Sequence, residues 1–575
     1  MDEQPQEIAR PRRRKRRIAA AALIVLLLIV LALWLFRLPI ASDFLRREFV
    51  RRDVEASYTI THIGFGRQRV ENLVIGDPAN PDLTARRVEL DVSWGFRRPK
   101  VTLVTARGVR LKGRVVGGKL RFGEVDKLLP PPTGAPFRFP DQAVDVADAS
   151  LSLDTPAGRV GLAVAGRGNL SNGFRGEAAG YSHGLALGSC RLAAPRVHWQ
   201  VAIDAGRPRF AGPTSAARVA CGDGFALEGP NVALNAKLSE TLTRWEGKAG
   251  IEAAGARVGG NRLGALKGLL DFAGDSATTR GAVDLAAASL RLGDVSAGRT
   301  RVDGRFSLSL KTGDATLVGD VGARGVSASA RAEGLARALA ATGGTPIEAV
   351  GEALAGSIRR AAGAFDLAGE LRLVNAKGGG GLRFGRLIAI SRSGARLALE
   401  GGGGLSYSWP AGLSRIDGNV SLSGGGFPEA RFALNQPRLG GPISGSGRVA
   451  ALTVGGSRLA LGPIRFTAGD RGGTRIDTVA TVDGPFDGGA VAGLTLPVSG
   501  GLDGRGGFAF GTGCVTARFS ALRVSTLRLG AASLPLCPTG RALLWKTPGG
   551  DGRMAVAPRC FVRCPGQTRP NTWVQ

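Results

Sequence analysis

At 575 residues, with 43% hydrophobic residues, the chain is too apolar for general disorder, and its 89 glycines follow no Gly-X-Y period that would make it collagen-like. The net charge of +30 raises the question of nucleic acid, but beyond the N-terminus the arginines are spread among strand-like segments and no aromatic-rich RNA motif accompanies them. A basic surface of this kind suits anionic lipid headgroups or keeps a long sheet in solution, and an arginine-favouring codon usage explains it equally well.

Taken in chain order, the basic run at residues 12–17 leads into an uncharged apolar stretch over residues 18–36. Nineteen residues at about 1.5 Å of rise give a helix of roughly 28 Å, close to the thickness of a bilayer's hydrocarbon core. The stretch is longer than a signal peptide's apolar region, and Arg37, Leu38 and Pro39 follow it without an A-x-A site, so an uncleaved anchor is expected. The Lys/Arg flank keeps residues 1–17 in the cytoplasm and exports everything after Arg37. No second run of this length follows, so the expectation is a single-pass membrane protein.

The exported part reads as strands, because apolar and polar residues alternate with period two. Val88, Leu90, Val92 and Trp94 share one face, against Arg87, Glu89, Asp91 and Ser93. Leu151 and Leu153 repeat the pattern, as do Val197, Trp199, Val201 and Ile203 against His198, Gln200 and Asp204. Phe306, Leu308 and Leu310 alternate with Arg305, Ser307, Ser309 and Lys311, and Leu405, Tyr407 and Trp409 with Ser406 and Ser408. Residues 37–127 form the first β region, and LLPPPTGAPFRFPD (128–141) must be a loop, since proline cannot donate to a ladder; it is expected to separate the first strands from a longer sheet over 142–327 and 366–544.

Residues 328–365 break the strand pattern. In TPIEAVGEALAGSIRRAAGAF, Thr345 is the expected N-cap, with Pro346 at N1 and Glu348 at N3, a capping-box arrangement. Ile347, Val350, Leu354, Ile358 and Phe365 then form one stripe, so this helix either covers apolar sheet surface or plugs a groove. The alternation stops near Leu544, and the tail over 545–575 is expected to be irregular.

So many one-faced strands without a fixed repeat period argue against propellers and regular β-helices. At about 4.8 Å per strand and about 12 residues per strand with its turn, a single curled sheet would reach on the order of 150–200 Å. Its apolar concave face would be a channel for something greasy. Cys190 and Cys221 lie in neighbouring strand-like stretches, as do Cys514 and Cys537, and each pair could staple a local loop in an oxidising compartment; Cys560 and Cys564 stay unassigned. The three histidines, His62, His183 and His198, form no paired ligand motif, and there is no Walker A lysine, so no catalytic site, metal or cofactor is expected.

Three stretches carry a resemblance: ENLVIGDPANPDLTARRVELDVSW (71–94), GVRLKGRVVGGKLRFGEVDKLLPPP (108–132) and VDVADASLSLDTPAGRVGLAVAGRGNL (144–170). The chain resembles the YdbH family of AsmA-like bridge proteins of Gram-negative bacteria, relatives of TamB and YhdP. The resemblance implies an inner-membrane anchor, a long periplasmic β-groove and passage of phospholipids between the two membranes, with an outer-membrane lipoprotein or protein as a further partner. Such chains usually continue past this length, so a C-terminal truncation or frameshift is expected here. On this reading Val88, Leu90, Val92, Leu151, Leu153, Val197, Trp199, Val201, Phe306, Leu308, Leu310, Leu405 and Tyr407 line the groove. A closed, dry core is the competing packing. A TamB-like scaffold for outer-membrane protein assembly, working through sheet edges, is the competing function, and a passive tether ranks third.

Overall fold

The computed structural model describes residues 49–547 apart from 65, 95–98, 130–136, 223, 470–471 and 504–506, together with the backbone of 552–554 and 556–558. The 18–36 span, its basic flank, Cys560 and Cys564 lie outside the described residues. Among the described residues no helix is long and apolar enough to cross a membrane. The chain is mainly β and divides into two units, Met1–Ala220 with Asn231–Trp245, and Cys221–Pro230 with Glu246–Gln575.

The first unit opens with an antiparallel meander of β1 (Ala56–Ile63), β2 (Arg67–Ile75), β3 (Leu83–Trp94) and β4 (Pro99–Val116). A turn at Gly117–Gly118, both at positive φ, folds β5 (Lys119–Arg121) back onto β4, and a 3-10 turn over Gly123–Leu128 follows. The next strand, β6 (Ala143–Thr155), pairs with β4 in parallel from Leu103↔Ala143 to Arg114↔Asp154. The 128–141 loop therefore does not divide the sheet, as its prolines had suggested. The strands on either side of it in sequence, β5 and β6, both pair with β4. β7 (Gly158–Asn169) and β8 (Phe174–Tyr181) continue antiparallel, followed by strands Arg196–Asp204, Arg207–Ser215 and Asn231–Leu238.

One row of this unit changes the phase of alternation. Val146 and Ala149 of β6 pair with Gly166 and Val164, which share a face of β7, so an extra residue sits between them. β2, β4 and β6 cross that row at Asn72, Gly108 and Asp148, with φ of 53°, 63° and 55°. Each is a residue type that tolerates the left-handed region, and at each the apolar set stays on one face although its numbering slips from even to odd; the pairing itself slips only at the margins of the row, between β1 and β2 and between β6 and β7. Gly108 also leaves room for a neighbour, since a Cβ there would lie 2.1 Å from Arg86 Nε.

The second unit is another antiparallel succession, from Asn261–Asp275 through Thr278–Ala287, Thr300–Ser309 and Ala315–Val326. After a helical insertion it resumes with Phe365–Ala376, Gly379–Ser391, Arg396–Trp409, Leu413–Gly424 and Phe427–Asn435. Ser444–Val449, Ile464–Ala468, Thr474–Phe486 and Gly489–Leu502 follow. Short side hairpins branch from the succession, among them Leu452–Val454 with Ser457–Leu461 and Ala521–Val524 with Leu527–Leu529. The tail is less irregular than its sequence suggests. Leu544–Lys546 pairs with Gly552–Met554, and Val556–Pro558 with Ala532–Pro538, through three-residue strands too short to show alternation.

The insertion is two helices, α1 (Ser329–Ala340) and α2 (Glu348–Gly363), held together by a two-bond Arg359–Glu333 ion pair. The expected capping box does not form. The Thr345 hydroxyl donates to the Thr342 carbonyl, and it is the Thr345 carbonyl that accepts the Glu348 N–H. Glu348 does reach back, but its carboxylate accepts from Gly344 N–H at 2.8 Å, one residue upstream of the expected cap. Phe365 is not on the helical stripe: it opens the next strand and pairs with Val326. The side of α2 that is fully buried carries Val350, Gly351, Ala355 and Ser357, while Leu354 and Ile358 are half-buried. This side lies along a row of strand ends. A Cβ on Gly426, Gly455 or Gly484 would meet Ser357 Oγ at 2.6 Å, Ala349 Cβ at 3.1 Å or the Pro346 carbonyl at 2.4 Å.

Candidate functional site

Directly opposed residues in neighbouring strands share a face, so register traces what runs across a sheet. In the first unit one such row passes through Val70, Val88, Ala106, Val146, Gly166, Gly176, Val201, Phe210 and Ala236. A second passes through Ile75, Leu83, Leu111, Leu151, Leu162, Gly180, Val197, Thr214 and Val232. Only one hydroxyl interrupts the second. Thr214 faces the indole of the same surface, accepting from Trp199 Nε1 at 3.0 Å, while the Trp199 and Phe210 rings meet edge to face at 5.6 Å.

The second unit carries equivalent rows. One runs Gly268, Leu285, Val302, Val321, Gly369, Leu387, Leu399, Val420, Phe432, Gly447, Ile464. Beside it runs Leu270, Val283, Gly304, Gly319, Leu371, Phe384, Leu405, Ile416. At about 4.8 Å per strand, the ten steps of the longer row cover roughly 48 Å. No charged side chain occurs in either row.

Inward glycines are part of this surface. A Cβ on Gly319 would lie 2.4 Å from the Cα of its partner Gly304, and one on Gly166 would lie 2.8 Å from the Cα of its partner Gly176. These pairs let neighbouring strands approach where side chains would hold them apart.

The large apolar residues of the rows are mostly half-buried, and among the described residues alanine supplies more than half of the fully buried hydrophobic ones. Among the expected lining residues, Val88, Leu90, Val92, Leu151, Leu153, Val197, Trp199, Val201, Phe306, Leu308 and Leu405 are all half-buried. Tyr407, beside Leu382 and Ser414, is 47% exposed. Leu310 departs from the expectation: it lies just past the Thr300–Ser309 strand, donates its N–H to the Ala277 carbonyl and is 47% exposed. Phe272, Leu317, Leu371, Phe384, Leu387, Val420 and Phe432 belong to the same face and escaped the sequence reading.

The opposite face is charged and internally paired. In the first unit Arg67 meets Asp91 at 2.6 Å, Arg69 meets Glu89 at 2.8 Å, Arg87 meets Glu71 at 3.2 Å and Arg107 meets Asp145 at 2.8 Å. The hydrogen bond from Arg67 holds the Asp91 carboxyl below its usual pKa, and that from Arg107 does the same for Asp145. In the second unit the Ser499 hydroxyl and then Arg475 lower Asp477. His198 lies on this polar face, exposed, with Nε2 3.6 Å from Glu177. Among the described residues no group of three His, Cys, Asp or Glu side chains could hold a metal ion. Cys514 and Cys537 form a disulfide, and Cys190 and Cys221 are each disulfide-bonded.

Among the described residues, the sheet of each unit has one apolar surface crossing many strands and one surface that carries salt bridges. A family model described as YdbH-like, intermembrane phospholipid transport protein YdbH, matches residues 25–535. No curated protein and no solved structure matches the chain.

Proposed function

The chain belongs to the YdbH-like family of intermembrane phospholipid transport proteins, and from that premise we propose that its apolar sheet face is an open path for phospholipid acyl chains between the inner and outer membranes. The family's role sets the chain in the cell envelope. The 18–36 span would anchor it in the inner membrane, with the bulk of the chain in the periplasm.

The physical problem in such transport is solvent. A phospholipid leaving a bilayer exposes its tails to water at about 0.8 kcal/mol per CH₂, a prohibitive sum for two long chains. A surface without charges removes that cost along the whole path, while the headgroup stays in water. No bond is made or broken, so the residues need only be apolar and free of deep wells.

The observation that carries this reading is the half-burial of the rows. In a closed core the leucines and phenylalanines would be the buried residues, with alanine filling gaps. Here the balance is reversed, which supports a face still able to receive a guest. Replacing Leu308 with Asp tests it: the account expects normal abundance and a large loss of phospholipid passage between membrane fractions. A variant that fails to fold would instead favour a closed core, and one that folds and transports normally would remove Leu308 from the path.

A further inference from the structure

The side hairpin Ala521–Val524 with Leu527–Leu529 has two unlike faces. Leu522 opposes Leu529 and Val524 opposes Leu527, and Leu522 also opposes Val491 of the neighbouring strand, which sits on the apolar face. On the other face Arg523 and Arg528 stand directly opposite one another. Like charges so placed destabilise a strand pair unless something of opposite sign lies between them.

The two arginines line a cleft of about 530 Å³ together with Gly488, Gly489, Ser525 and Thr526. No carboxylate lines it. Asp487, next in sequence, has its carboxylate beside Gly344 of the helical insertion instead. Gly488 leaves the approach open, since a Cβ there would meet nothing within 4 Å. The contrast with another opposed pair is informative: Arg372 and Arg383 share their cleft with Asp320 and Glu370, so that site carries its own counter-charges.

We propose that the Arg523–Arg528 cleft binds a phosphate group. Two guanidinium forks match the paired oxygens of a phosphate, and the Ser525 and Thr526 hydroxyls add neutral donors. Resting on the reading of the apolar face as a phospholipid path, the group is a headgroup phosphate, whose tails lie against Val524 and Leu527 on the other side of the same hairpin. Free inorganic phosphate shares the chemistry and is the other source.

The test uses the full chain in a nonionic detergent, titrated with inorganic phosphate, with dihexanoyl-phosphatidylglycerol and with phosphate-free dihexanoylglycerol. The double change Arg523→Gln with Arg528→Gln is expected to weaken the phosphatidylglycerol by roughly tenfold or more, while Arg372→Gln with Arg383→Gln leaves it unchanged. Replacing the first pair by Lys retains most of the binding, and Arg528→Gln alone serves where the double change impairs folding. If phosphatidylglycerol binds in an Arg523- and Arg528-dependent way and dihexanoylglycerol does not, the headgroup is the ligand. If only inorganic phosphate binds in that way, the site stands with a soluble source. Equal affinity of both probes for wild type and the double variant overturns the site. Loss of acyl-chain crosslinking on the apolar face, with phosphate binding intact, would sink the lipid path and leave the site standing.

Discussion

The Asp148 carboxylate is held by Arg110, whose Nη2 donates to Oδ1 at 2.6 Å, at the point where β6 takes its left-handed step. Arg86 reaches the other carboxylate oxygen at 2.7 Å, across the bare backbone of Gly108. A charge cluster on the outer face thus fixes the bulge that keeps the inner face apolar. Asp148→Asn retains a side chain that tolerates positive φ but loses the charge, and Asp148→Val loses both. Thermal unfolding is expected to rank wild type above Asn and Asn above Val. A Val variant as stable as wild type would mean that the phase change does not depend on this residue.

The outer-face carboxylates also set an acid limit. Arg67, Arg107 and Arg110 lower Asp91, Asp145 and Asp148 respectively, chiefly through hydrogen bonds to the ionised form. A depressed folded pKa contributes stability that is complete above the unfolded value, about 3.9, and is lost as pH falls through the folded one. Melting temperature is therefore expected to be insensitive to these groups from about pH 8 to 5 and to fall below about pH 4. A decline beginning near neutrality would contradict this assignment.

The paired inward glycines are a steric requirement. A Cβ on Gly319 would lie 2.0 Å from the Asp303 carbonyl oxygen as well as against Gly304. Gly319→Val is expected to destabilise the sheet by about 1–3 kcal/mol, measured as a lower denaturant midpoint. An unchanged midpoint would show that the strands can separate freely there.

The helical insertion is anchored by Val350, 1% exposed, and by Ala355, fully buried. Val350→Ala removes two buried carbons and is expected to cost about 2 kcal/mol, seen as faster proteolysis of the link between α1 and α2. Thr345→Val, which would abolish a side-chain N-cap, is expected to have a smaller effect, because the Glu348 carboxylate still holds Gly344.

What was legible in the sequence is the class of the fold and the strands that alternate without a fault. Val88, Leu90 and Val92 announce their face because the extra residue where the pairing slips beside Val92 falls in β4 and leaves their own alternation intact. Phe384 and Leu387 do not, because the pairing slips between them and the apolar set changes from even to odd numbers. The parallel pairing of β4 with β6 was also invisible, since register between strands separated by a loop leaves no local mark. The Thr345 cap failed for a related reason: the residues suit a capping box, but the chain before Glu348 turns through Thr342 to Thr345 and redirects the hydroxyl.

The most direct measurement is photo-crosslinking of a phospholipid labelled on its acyl chain, with the crosslinker placed singly along neighbouring strands. The account predicts capture at Phe306, Phe384 and Leu405, and little at their outward neighbours Arg305, Arg383 and Ser406. Equal capture on both faces, or none at the three inner positions in a folded and membrane-anchored chain, would contradict it.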